Sequence, residues 1–65
     1  MMIKGTLKNW VPLKGWGFIE DEDGKDYFLH ISKARKGQKI HINCRVKFDY
    51  IEGQMGPEAE NVTLF

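Results

Sequence analysis

The sequence predicts a small all-β barrel of five antiparallel strands, the whole of residues 1–65 forming one domain. Three observations predict it. Little of the chain reads as helix, because glycines and β-branched or aromatic residues recur every few positions. Turn signals come at the short spacing of successive strands. A chain this short also has few ways to hide the edges of an open sheet, and closing the sheet into a barrel removes the exposed edges that invite aggregation.

The first strand is expected over Ile3 to Trp10. Ile3, Gly5 and Leu7 fall on one side, and Lys4, Thr6, Lys8 and Trp10 on the other. Pro12 cannot donate to a ladder and ends it. A second strand follows from Gly15 to Glu20, then the turn "DEDG", where Gly24 is free to take positive φ. The third runs from Asp26 to Ile31. The fourth has the clearest alternation: Ile40, Ile42, Cys44, Val46, Phe48 and Tyr50 on one face, with His41, Asn43, Arg45, Lys47 and Asp49 on the other. It is expected to be long and half-buried, with its apolar face in the core. "EGQMGPE" reads as a Gly/Pro loop, and the last strand covers Ala59 to Leu64. Five strands closed in this way match the OB-fold, a partly open Greek-key barrel.

The stretch "KGWGFIE", Lys14 to Glu20, places Trp16 and Phe18 on one strand face with glycines between. Parity alone leaves open whether these rings are core or surface, since aromatics dominate cores. Pairing with the third strand bears on it. A tight turn at Asp23-Gly24 would pair Phe18 with Leu29. An odd-numbered loop pairs Phe18 with Phe28 and Trp16 with His30, since a slip of one residue turns every side chain over. The second register is the more consistent, because it gathers Trp16, Phe18, Phe28 and His30 on one face and leaves Ile19, Tyr27, Leu29 and Ile31 for the core. The first strand places Lys4, Lys8 and Trp10 outward, which favours an outward ring face.

Rings edged by lysines have a physical use. Every base has a π-face, and lysines answer phosphates. Single-stranded nucleic acid is the matching ligand, because a duplex hides its base faces. The net charge of +1 says little about partners, but its distribution does. "SKARKGQK" carries Lys33, Arg35, Lys36 and Lys39 without an acid, whereas Glu20 to Asp23 form an acidic hairpin tip.

Other classes find little support. A lone Cys44 on an apolar face reads as a buried, inert thiol, and without bridges the chain suits a reducing, cytoplasmic setting. Two histidines and one cysteine, widely spread, have no zinc-site spacing. The N-terminus lacks a signal-peptide core, and no apolar run is long enough to span a membrane. No nucleophile or paired carboxylate accompanies His30, so no enzyme, cofactor or small-molecule substrate is expected.

Three segments resemble the cold-shock domain family. "KGWGFIE" resembles its first ribonucleoprotein motif, usually KGFGFI, with Trp16 in place of Phe. "DYFLHIS", Asp26 to Ser32, resembles the second, usually DVFVHFS. "MGPEAENV", Met55 to Val62, resembles the closing GPxAxNV segment. The resemblance covers nearly the whole chain. It implies an OB-type barrel, monomeric, that binds single-stranded RNA or DNA as a nucleic-acid chaperone or a regulator of transcription or translation. Carried over by position, Trp16, Phe18, Phe28 and His30 stack on bases and Lys8 and Lys14 supply basic contacts. Trp10 and the loop cations Lys33, Arg35, Lys36 and Lys39 complete the expected surface. The inner residues of the family map to Leu7, Ile19, Val46 and Phe48.

The departures are specific. The first strand reads "KNWV" where the family has KWFN, so Asn9 replaces the usual Trp, Trp10 replaces the next Phe, and the ring platforms there drop from two to one. Ile31 replaces the aromatic after the histidine. The loop after strand three has no aromatic and four bases. Fewer rings and more charge predict weaker stacking, steeper salt dependence and less pyrimidine preference than in a typical relative. The competing reading uses the same rings as a protein-interaction patch.

Overall fold

The computed structural model describes residues 2–65. Its strands are β1 (Ile3–Val11), β2 (Trp16–Asp21), β3 (Asp26–His30), β4 (Arg45–Gly53) and β5 (Gly56–Leu64). They close into a barrel in the order β1-β2-β3-β5-β4. All pairings are antiparallel except β3 with β5. One 3₁₀ turn, Ile31–Lys33, follows β3. No helix among the described residues is long and apolar enough to cross a membrane.

The core is the inward set of alternate residues. Leu7, Ile19, Leu29, Val46, Phe48 and Val62 are fully buried, with Tyr27, Cys44 and Ala59 beside them. Burying a side chain of the Leu or Phe class contributes about 1.5–3 kcal/mol, so this small set dominates the fold. Tyr27 sets its ring edge-on to Phe48 at 5.0 Å and to Tyr50 at 5.3 Å, closing one end of the barrel.

Two irregularities shape the sheet. On β1, Leu7 pairs with Ile19 but Asn9 pairs with Phe18, so Lys8 is an extra residue, a bulge. On β4 and β5, Lys47 pairs with Thr63 and Asp49 with Glu60, which leaves Asn61 and Val62 opposite Phe48. Asn61 takes the left-handed backbone (φ 54°) that this bulge requires, a conformation asparagine tolerates better than most residues.

Three expectations need correction. The fourth strand does not start near Ile40. Asn43 has φ 70°, and the Cys44 N–H donates to the His41 carbonyl, so a turn precedes β4. Ile42 is consequently 52% exposed rather than core, Ile40 only packs on the core's margin, and Tyr50 is 41% exposed at the barrel end. "EGQMGPE" is not an open loop, because β4 and β5 run on until Gly53 pairs with Gly56, joined by a tight turn with Gly56 at φ 87°. The third strand ends at His30, and Ile31 turns outward, 42% exposed.

Candidate nucleic-acid interface

The β2–β3 hairpin has the odd-loop register. Trp16 pairs with His30, Phe18 with Phe28 and Glu20 with Asp26. The turn that sets it is organised by Asp21. Its Oδ1 accepts from the N–H groups of Asp23 and Lys25, both at 2.9 Å, and its Oδ2 accepts from the Tyr27 hydroxyl at 2.9 Å. Gly24, at φ 85°, completes the turn. With Gly17, Ile19, Tyr27 and Leu29 buried, the alternate residues Trp16, Phe18, Phe28 and His30 are driven outward together.

The rings touch without covering one another. Phe18 and Phe28 lie edge-on at 5.7 Å, Trp16 and Phe18 edge-on at 6.4 Å, and Trp16 and Phe28 tilted by 32° at 6.2 Å. All three are half-buried, so each keeps area open to solvent. His30 is exposed beside them. Its Nδ1 accepts from the Ser32 N–H at 3.2 Å and lies 2.8 Å from the Ser32 hydroxyl. With Nδ1 accepting, Nε2 is the nitrogen that donates in the matching tautomer.

Trp10 leaves this set. The Lys8 bulge reverses the parity of β1, so Trp10 pairs with the buried Gly17 and packs against the core, while Asn9 stands opposite Phe18 and Val11 opposite Trp16. Asn9 is thus the β1 residue on the ring face. The "KNWV" departure pointed at this position, but the bulge that turns Asn9 outward leaves no mark in the alternation of β1.

The charges are graded along the hairpin. Lys14, in the β1–β2 turn, is exposed near the Trp16 end, and the Gly15 carbonyl beside it accepts the Ile31 N–H at 2.8 Å. At the other end the ring face closes on Glu20 paired with Asp26. Lys8 lies 3.8 Å from the Glu20 carboxylate, an exposed pair that contributes little. The basic loop docks on β5: the Arg35 N–H donates to the Val62 carbonyl, and the Leu64 N–H donates to Gln38 Oε1 at 2.7 Å. Lys33 meets Glu60 of β5 at 3.5 Å, so tertiary structure supplies an acid that its neighbours in sequence lack. Arg35, Lys36 and Lys39 are exposed and have no ion pair among the described residues.

The sequence of this chain matches the family model of the 'Cold-shock' DNA-binding domain over residues 3–65. The chain belongs to the cold-shock domain family. Relatives agree in length as well as sequence. The chain is 45% identical over 64 residues to the cold shock-like protein CspLB of Listeria monocytogenes, covering 95% of this chain and 97% of that one. It is 41% identical over 64 residues to the major cold shock protein of Streptococcus pyogenes, covering 95% and 96%. Among solved structures, Drosophila Unr CSD456 superposes with a TM-score of 0.80 at 22% identity, over all of this chain and 27% of that one. That likeness speaks to the fold. This cold-shock domain carries Trp16 and Phe18 on β2 and Phe28 and His30 on β3, within the two segments on which the sequence resemblance rests.

Proposed function

We propose that this cold-shock domain binds single-stranded RNA or DNA without catalysis, as a nucleic-acid chaperone or a regulator of transcription or translation. The observation that carries the reading is the outward cluster of Trp16, Phe18 and Phe28 with His30 at its margin. A domain that leaves three touching rings half open to water loses burial energy unless a ligand covers them, and bases match rings in both shape and polarity.

In this reading bases stack on Trp16, Phe18 and Phe28, and the Nε2 proton of His30 meets a base edge or phosphate. Lys14, Arg35, Lys36 and Lys39 hold the backbone. Lys8 and Lys33 contribute less, because each is already near a carboxylate. The acidic row of Glu20 and Asp26 repels phosphate and marks where the platform ends.

Tryptophan fluorescence titrated with oligo(U) and oligo(dT) at low salt is the test. Quenching is expected, and it should survive Trp10→Phe, because the responding ring is Trp16. Trp16→Ala should weaken binding by about 1–3 kcal/mol and leave the domain folded. Absence of quenching with both oligomers rejects the proposal. Tight binding to a protein partner through the same rings would replace it with the interaction-module reading.

A further inference from the structure

Across β1 from the ring platform lies a second, separate group of cations. Lys4 of β1 pairs directly with Lys47 of β4, and Thr6 pairs with Arg45 one row on. Gly5 and Val46 between them are buried, so Lys4, Lys47 and Arg45 all face outward, and all three are exposed. Lys47 continues the row to Thr63 of β5, and the Phe65 N–H donates to the Arg45 carbonyl at 3.1 Å. The ring of Phe65, 52% exposed, lies 5.4 Å from Lys4 Nζ and 5.0 Å from the Arg45 guanidinium carbon.

Two features of this face ask for an anion. Like charges directly opposite on neighbouring strands are destabilising, and no side-chain carboxylate forms an ion pair with Lys4, Arg45 or Lys47 among the described residues. The acids nearest this patch lie at its margins: Asp21, Glu22 and Asp23 line a shallow cleft with Lys4, and Asp49 pairs with Glu60 two residues beyond Lys47.

We propose that this β1–β4–β5 face is a second binding surface for the phosphates of a single strand, distinct from the ring platform. It rests on the reading of the chain as a single-strand binder and adds to it. Nucleic acid fits better than an acidic peptide because the patch lies one strand from the ring platform: Thr6 pairs with Arg45 on one side and with Glu20 on the other, and Lys8, 3.8 Å from the Glu20 carboxylate, places a cation at the crossing. The acidic row of Glu20 and Asp26 keeps the two surfaces apart, so a short oligomer occupies one of them and a long strand wraps both.

The double variant Lys4→Gln, Lys47→Gln removes the opposed lysines without touching a ring or a core residue. Binding is measured against salt for an oligo(dT) of about 6 nucleotides and for one about four times longer, the shorter lying near the low end of what one OB fold covers. The slope of log K against log salt should fall by about 1.4 for the long strand, roughly 0.7 for each phosphate no longer neutralised, and stay the same for the short one. An unchanged long-strand slope overturns the second surface, as does an equal fall for both lengths. If wild type binds the long strand with a lysine-dependent slope but not the short one, the ring platform fails and the cationic face stands. Poly(glutamate) binding that needs Lys4 and Lys47, while the long-strand slope does not change, would give the face to acidic peptides and overturn the proposal.

Discussion

Trp10 sits directly opposite Gly17 across β1 and β2, and the Asn9 carbonyl, with the Trp10 ring behind it, occupies the space a side chain at Gly17 would need. A Cβ there would come within 2.9 Å of Trp10 Cε3 and would overlap the Asn9 carbonyl. The absent side chain lets two strands approach closely enough for Trp10 to reach the core margin. Gly17→Ala should therefore destabilise the domain by about 1–3 kcal/mol through overpacking, read as a lower urea midpoint with an unchanged m-value. Because Phe18 and Trp16 flank this position, the variant should also weaken oligonucleotide binding once the sheet has shifted.

Asn9 stands on the ring face opposite Phe18, at the position where the sequence resemblance implies a Trp. It is exposed, so a larger side chain meets no steric barrier. Asn9→Trp should restore a platform and tighten oligo(dT) binding by about 1–3 kcal/mol, with little change in thermal midpoint. An affinity equal to wild type in a titration at fixed salt would show that this position lies outside the path of the strand.

The loop cations differ from one another. Arg35, Lys36 and Lys39 have no ion-pair partner among the described residues, whereas Lys33 meets Glu60. Replacing the first three by Gln should reduce the salt slope by about 2, at roughly 0.7 for each phosphate neutralised. Lys33→Gln should do less, since its charge is already partly answered. The slopes come from titrations at several salt concentrations, and equal effects from Lys33 and Lys36 would contradict the assignment.

The Asp21–Tyr27 pair makes stability depend on pH at both extremes. The Lys25 amide foremost, then the Tyr27 hydroxyl and the Asp23 amide, hold the Asp21 carboxyl below its usual 3.8. This contribution is present above that pH and is lost as pH falls through the lowered value. Burial, then the hydrogen bond to Asp21, pushes the Tyr27 hydroxyl from 10.0 up to about 12. Because the folded state favours the neutral phenol, full stability holds below about pH 10 and declines as pH rises from there toward about 12. Thermal midpoints across pH should show the alkaline decline reduced in Tyr27→Phe and the acid decline reduced in Asp21→Asn.

Much of this protein is legible in its sequence. Alternation places Leu7, Ile19, Val46 and Phe48 inside, and period-two burial admits only one inward face per strand. The pairing of Phe18 with Phe28 is the more consistent of the two registers the sequence offers, favoured by the outward lysines of the first strand, and it is the one the hairpin adopts. The family resemblance rests on the same segments. What alternation misses is a break in itself. The bulge at Lys8 turns Trp10 inward and Asn9 outward, and no local pattern announces it, because an extra residue is defined only against the partner strand. The apolar alternation from Ile40 to Asn43 looks like strand but ends in a left-handed Asn43, whose N–H donates to the Leu7 carbonyl. The carboxylate beside Lys33 and the facing lysines Lys4 and Lys47 come from strands far apart in the chain. Side-chain periodicity is a local property and the sequence determines it alone, but which charges meet, and on which side of a bulge a ring falls, depends on closure of the barrel.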